Sequence, residues 1–233
     1  MDIKTKIMHA VAPQQTRTYT PISHNEIIST IHNYCKVSNL KIVDEKYMTD
    51  KDCNQVTGKL TLDMGDDSMG AMIGFQNSYN KTLSAKFAIG ASVFICSNGM
   101  VVGDFAFKSK HQGDARYDML YHMGDAIKAT KLNFGDSVIL REDMKKIHFS
   151  ENSLHELIGK LFMNQDILRA TQINMFQQEY NKVIPKHDYG VSKNNLWNIY
   201  NLCTDTIERR SHPALYFNQH EKLTNLIKET YLN

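Results

Sequence analysis

The stretch that most constrains this chain is Ile73–His111, IGFQNSYNKTLSAKFAIGASVFICSNGMVVGDFAFKSKH, which reads as three consecutive strands separated by two polar breaks. The first break is Asn77-Ser-Tyr-Asn-Lys81 and the second is Ser97-Asn98-Gly99. Asn-Gly is the pair favoured where a two-residue hairpin turn needs positive φ, so the second break predicts a tight hairpin. Between the breaks Ala85, Phe87, Ile89, Ala91, Val93 and Ile95 alternate with Lys86, Ala88, Gly90, Ser92, Phe94 and Cys96. Alternating side chains leave a strand by opposite faces, so one face is apolar and the other small and mixed. A sheet covered on one side is the expectation.

Elements on either side extend this core. Ser23-His-Asn-Glu26 has capping-box spacing, and Ile27, Ile28, Ile31, Tyr34 and Cys35 follow at helical intervals. KIVDEKYMT and QVTGKLTLDM then read as two alternating strands around Asp50–Asn54, followed by an acidic turn at 65–68, bringing the meander to about five strands. ARYDMLYHMGDAIKAT predicts a helix packing Tyr117, Leu120, Tyr121 and Ile127, with Met123 or Gly124 beside them, against the sheet, while Phe134–Leu140 predicts a short strand and Arg141–Lys146 a loop or helical turn. Later helices are expected from Ser153 to Met163, Thr171 to Val183, Ser192 to Cys203 and Asn218 to Leu232. The class is α+β: an antiparallel meander of about five strands with an N-terminal helix and several C-terminal helices packed on one face. Residues 1–21, with Pro13 and Pro21 and no periodicity, predict an extended arm; 22–148 form the core and 149–233 a helical region on that core.

Composition bounds the function. The first residues hold no apolar stretch of secretory length, and no run approaches the roughly 18 apolar residues that cross a bilayer, so a cytoplasmic protein with no membrane partner is expected. Cys35, Cys53, Cys96 and Cys203 form no Cys-x-x-Cys pair and read as reduced thiols. No metal-ligand spacing, nucleotide-binding glycine loop or two-metal carboxylate pair occurs, so no metal, cofactor or catalytic group is assigned.

Four stretches, in order, resemble the phage- and plasmid-encoded family catalogued as domain of unknown function 932. They are Phe94–Met100 within VFICSNGMVV, Lys110-His-Gln-Gly-Asp-Ala-Arg116, the corner after Asn77-Ser78, and Asn195-Leu-Trp-Asn-Ile-Tyr-Asn201 with Thr204. Tyr79-Asn80-Lys81 departs from the His-Asp-Gly that the family often carries at that corner. The resemblance implies a mobile-element protein of bacterial host cytoplasm and carries no established activity.

Charge is segregated even though the net is only +2. From Lys81 to Arg116 the cations Lys81, Lys86, Lys108, Lys110 and Arg116 face only Asp104 and Asp114, and His111, Tyr117 and Tyr121 lie among them. Lysine and arginine neutralise phosphates and tyrosines stack on bases, so these eight residues are the candidate single-stranded nucleic-acid site. The ordinary alternative is a solvated strand end beside core tyrosines. His111-Gln-Gly113 before a helix is a candidate phosphate turn, although Asp114 would oppose an anion there.

Three function classes follow. The first is an accessory factor binding single-stranded nucleic acid, whose helix–meander–helix order is similar to that of phage strand-annealing recombinases and which would assemble as a homo-oligomer on the strand. The second is a module that occupies a host defence or replication protein, expected to show an apolar patch on the bare sheet face. An enzyme using Cys96, His111 or Asp104 ranks last, because no third activating group can be named. Trp197, among Leu196, Ile199 and Cys203, is expected in the core.

Overall fold

The computed structural model describes residues 2–94, 98–101, 107–164, 167–211 and 213–232. Helices α1 (Ile3–His9) and α2 (His24–Val37) precede strands β1 (Ile42–Thr49), β2 (Gln55–Leu62), β3 (Met69–Ser78), β4 (Ala85–Val93), β5 (Asn98–Val101) and β6 (Phe107–Ser109). Helices α3 (Ala115–Lys145), α4 (Glu151–Gly159), α5 (Ala170–Tyr180), α6 (Leu196–Arg210) and α7 (Pro213–Tyr231) follow, with a π-helical turn, Lys160–Asn164, after α4. Strands β1 to β5 form an antiparallel meander, and β6 pairs with β4 beyond the end of β5. This is the expected α+β arrangement.

Both faces of the central strands are covered, which corrects the expectation of a one-sided sheet. Every residue of β3 and β4 is buried. Ile73, Phe75, Ile89 and Phe87 form cross-strand pairs on one face, which α2 and α3 cover with Ile27, Ile31, Met119, Met123 and Ile127. The opposite face, through Lys59, Gly74 and Lys86, meets Glu208 of α6 and Phe217 and Asn218 of α7. Gly74 permits that approach, because a Cβ there would run into the Phe217 ring. The mixed composition of this face comes from buried polar contacts with helices, whereas alternation alone suggested water.

Several elements differ from their sequence signals. The arm expected to be extended holds α1, because Asp2 caps it by accepting from the Thr5 N–H (2.9 Å) and Ile7 is fully buried. Asn98 and Gly99 pair with Val93 and Ser92 inside the sheet, where the sequence suggested the turn itself; residues 95–97 lie outside the described residues. Helix α3 runs unbroken through the segment expected to hold a strand, because Phe134, Ser137, Leu140, Arg141 and Met144 bury at helical spacing. Its buried face is Met119, Met123 and Ile127, while Tyr117 and Tyr121 face solvent. Ser150, rather than Ser153, caps α4, accepting from the Ser153 N–H at 3.1 Å. Helix α5 ends at Tyr180, earlier than the Pro185 stop suggested, and α7 begins at Pro213. Trp197 is buried and stacks on Tyr200 as a core residue should (6.1 Å, 8°).

Candidate nucleic-acid interface

The site is assembled by the N-terminal arm, the β3–β4 corner and the link from β6 to α3. Thr16 and Tyr19 exchange backbone hydrogen bonds (3.0 and 3.3 Å), which makes a tight turn with Arg17 and Thr18 at its tip. The buried Tyr19 hydroxyl donates to the Ser78 and Tyr79 carbonyls, each at 3.2 Å. The Thr20 N–H donates to the His111 carbonyl and its hydroxyl to the Gly113 carbonyl, both at 2.9 Å. The arm is therefore stitched to two parts of the chain that are distant in sequence.

At the β3–β4 corner Asn80 Oδ1 accepts from the Thr82 N–H (3.2 Å), and Ser78 Oγ both accepts from the Leu83 N–H and donates to its carbonyl (3.1 Å each). Lys81 adopts φ +63°, the left-handed conformation a glycine takes without strain. The lysine thus keeps the backbone of the glycine-type corner while adding a cation.

Between these segments lies a cleft of about 310 Å³ lined by Thr18, Tyr19, Lys81, Thr82, Leu83, Ser84, Lys110, His111 and Gln112. Among the described residues no carboxylate lines it. The Lys81 ammonium sits 4.7 Å from the centre of the Tyr19 ring, a cation–π contact that leaves its charge unneutralised. His111 is 5% exposed, with its ring 5.5 Å from that of Tyr19. Among the described residues neither imidazole nitrogen makes a hydrogen bond of normal distance and angle. Burial lowers the His111 pKa, against the weaker opposing influence of the Thr20 and Leu83 backbone. The walls therefore offer ammonium and hydroxyl donors around a neutral imidazole, a donor set suited to an anion.

Lys81, Lys110 and His111 thus converge, and the remaining candidates do not join them. Lys86 is buried on the α7 side, donates to Asn218 Oδ1, and has its pKa lowered mainly by that burial. Lys108 is its partner on β6 and is exposed. Arg116 is committed to Glu26 of α2 by a two-pronged pair, Nε to Oε2 at 2.8 Å and Nη2 to Oε1 at 2.5 Å. The single basic strip read from the sequence is divided because strand alternation sends Lys86 through the sheet and a helix carries Arg116 away. Tyr117 and Tyr121 are 73% and 57% exposed, one turn apart on α3. Sequence reasoning missed Thr18 and Tyr19; the Tyr19 hydrogen bonds that bring this turn to the site span 59 and 60 residues and leave no local periodicity. Cys96 and Asp104, the partners suggested for His111 in an enzyme, lie outside the described residues.

The model of the family described as Domain of unknown function (DUF932) matches residues 14–227, and the chain belongs to that family. No curated protein and no solved structure matches the chain. Among the described residues no helix is long and apolar enough to cross a membrane.

Proposed function

We propose that this chain binds single-stranded nucleic acid in the Lys81–Lys110–His111 cleft, as an accessory factor of a phage or plasmid that handles or anneals strands. One observation supports the reading: two lysines, four hydroxyl side chains and a buried imidazole share a cleft that no carboxylate lines among the described residues. A phosphate seated there meets donors on several sides and no competing acceptor charge. Tyr117 and Tyr121, exposed at the start of α3, supply ring faces on which bases stack. Fluorescence anisotropy with an unstructured oligonucleotide tests this. Binding is expected at low salt, with log K falling against log salt at a slope of about −0.7 per phosphate contacted. Absence of binding at micromolar protein and low salt would remove the reading. If the strand is shared between subunits, light scattering should report growth of the particle when a long oligonucleotide is added.

A second reading, occupation of a host defence or replication protein, is favoured by Val183 and Ile184, adjacent and 100% and 81% exposed in the loop between α5 and α6. The sheet face on which that reading would have rested lies beneath α6 and α7, so the loop is where to test it. A host-lysate pull-down that Val183→Ser/Ile184→Ser leaves unchanged would reject it.

A further inference from the structure

Helix α3 buries one side, from Met119 to Met144, and turns the other to solvent along its 31 residues. The outer side is charged toward both ends of its C-terminal half but apolar in the middle. Leu132 and Ile139 are 82% and 61% exposed and stand seven residues apart, which aligns them two turns from each other, about 10 Å along the axis. Gly135 lies between them, exposed, and a Cβ there would meet nothing within 4 Å among the described residues. Glycine inside a helix lowers its stability and calls for a reason. Gly124, on the inner side of the same helix, has one, because the Tyr34 ring fills the place of its Cβ. Gly135 has no such reason within the described chain, and its bare backbone sits between two exposed aliphatic side chains.

The charges around Gly135 are arranged in opposite senses on its two sides. Lys128 precedes it by seven residues and Glu142 follows it by seven; Asp125 precedes it by ten and Lys146 follows it by eleven. All four are exposed. Each already has a partner on its own helix: Lys128 lies 3.6 Å from Asp125, Glu142 accepts from Arg141 (2.7 Å) and Lys145 (3.2 Å), and Lys146 donates to Asp143 (2.7 Å). Exposed pairs of this kind are weak and exchange at little cost, so attraction to a second surface falls to the aliphatic centre and the charges decide direction.

We propose that α3 docks on α3 of a second copy of this chain, antiparallel and related to it by a two-fold axis at Gly135. In that arrangement each Leu132 meets Ile139 of the second copy, each Lys128 meets Glu142, and each Asp125 meets Lys146. The bare Gly135 backbones let the helices approach closely where they cross. A parallel pairing would instead set each charge against its own copy. The contact occupies the middle of one helix, so the dimer is a weak and reversible one, smaller than a standard interface. A two-fold axis closes the assembly at two copies. Tyr121 lies 14 residues from the crossing, about 21 Å, and Tyr117 farther still, so both stay clear of it.

Sedimentation equilibrium of the full chain without nucleic acid tests the assignment. A monomer–dimer equilibrium is expected, with a dissociation constant of about 10–100 μM and no larger species. Gly135→Gln fills the crossing point while favouring the helix, so it should weaken the dimer about tenfold and leave the urea midpoint at or above the parent's. Lys128→Glu and Glu142→Lys should each weaken it about fivefold, because each sets like charges face to face at both ends. An equimolar mixture of those two variants should regain the parent affinity, since every facing pair is then again opposite in sign. Four results would each overturn the proposal: a monomer up to about 500 μM, which leaves this face to a partner of another kind; growth beyond the dimer; parent affinity in Gly135→Gln; or a mixture of the charge variants no tighter than either alone. Lys81 and Lys110 are intact in every variant and no oligonucleotide is present, so this outcome is independent of binding in their cleft.

Discussion

The Lys81–Lys110 cleft and the sheet edge at β1, where α1 and α6 come close, both collect lysines, but at that edge each of four lysines meets a carboxylate. Lys4, Lys46, Lys59 and Lys186 have Glu45, Asp44, Glu208 and Asp205. Lys81 and Lys110 form no ion pair among the described residues; Lys81 instead faces the Tyr19 ring. The difference separates two uses of charge. Lys59, buried, has lost its hydration and depends on Glu208, so removing that partner destabilises the fold. An exposed cation without a partner keeps its water and gives it up only to a ligand, so removing it alters binding while leaving the fold intact.

The largest effect should follow from Glu208→Gln, which removes the Glu208 charge paired with Lys59, a lysine whose side chain is only 5% exposed. A loss of about 3 kcal/mol in urea unfolding is expected. The double variant Lys59→Met/Glu208→Leu should recover most of that loss, because removing both charges also removes their desolvation cost. If the single and double variants are equally destabilised, packing rather than charge explains the loss and the contrast with the cleft fails.

Acid should act next, and through buried histidines. Burial lowers His220 to about 3 and His24 to about 4, the latter partly opposed by the Cys53 backbone and further lowered by His111. Their unfolded values lie near 6.5. Between those limits the unfolded chain binds more protons than the folded one, so stability is full above about pH 6.5 and falls as pH drops toward 3. His220→Leu should flatten the upper part of that decline, between about pH 6 and 4. Superimposable acid-unfolding curves for variant and parent would remove His220 as a source.

In the cleft, Lys81→Glu/Lys110→Glu should weaken oligonucleotide binding about tenfold or more and reduce the salt slope, with urea unfolding unchanged within about 0.5 kcal/mol. A large stability loss without a binding change would invert the comparison.

How much of this was legible follows from the range of the interactions. The meander was readable because Ala85, Phe87, Ile89, Ala91 and Val93 alternate with period two, and their ladder to β3 pairs them in register. The second half of α3 was not, because exposed Leu132 and Ile139 put apolar residues on its solvent side and mask the buried row Phe134, Leu140 and Met144. The polar sheet face was misread as solvated because a lysine such as Lys59 gives no sign in its own strand that Glu208, far along the chain, will meet it. In the cleft the cations Lys81 and Lys110 and the imidazole of His111 were evident from composition. The Tyr19 wall was not, since its hydrogen bonds join residues 59 and 60 positions apart.

Arg116 provides the smallest and most discriminating test, because by sequence it belongs to the cationic group and by structure to the paired one. Its guanidinium is held by both Glu26 oxygens, and its side chain is 57% exposed, so the pair links α2 to α3 in a largely aqueous setting. Exposed pairs of this kind contribute about 0.2–1 kcal/mol and weaken with salt. Arg116→Ala should therefore lower stability by no more than about 1 kcal/mol, with the loss shrinking at high salt. Oligonucleotide affinity should stay within about twofold of the parent, because no free charge is removed, whereas Lys110→Ala, which removes one, should reduce it by more. If Arg116→Ala reduces affinity as strongly as Lys110→Ala, Glu26 releases the arginine when nucleic acid binds. The interface would then extend from the cleft along α3 toward Tyr117, and being paired in the free protein would no longer separate structural charges from binding ones.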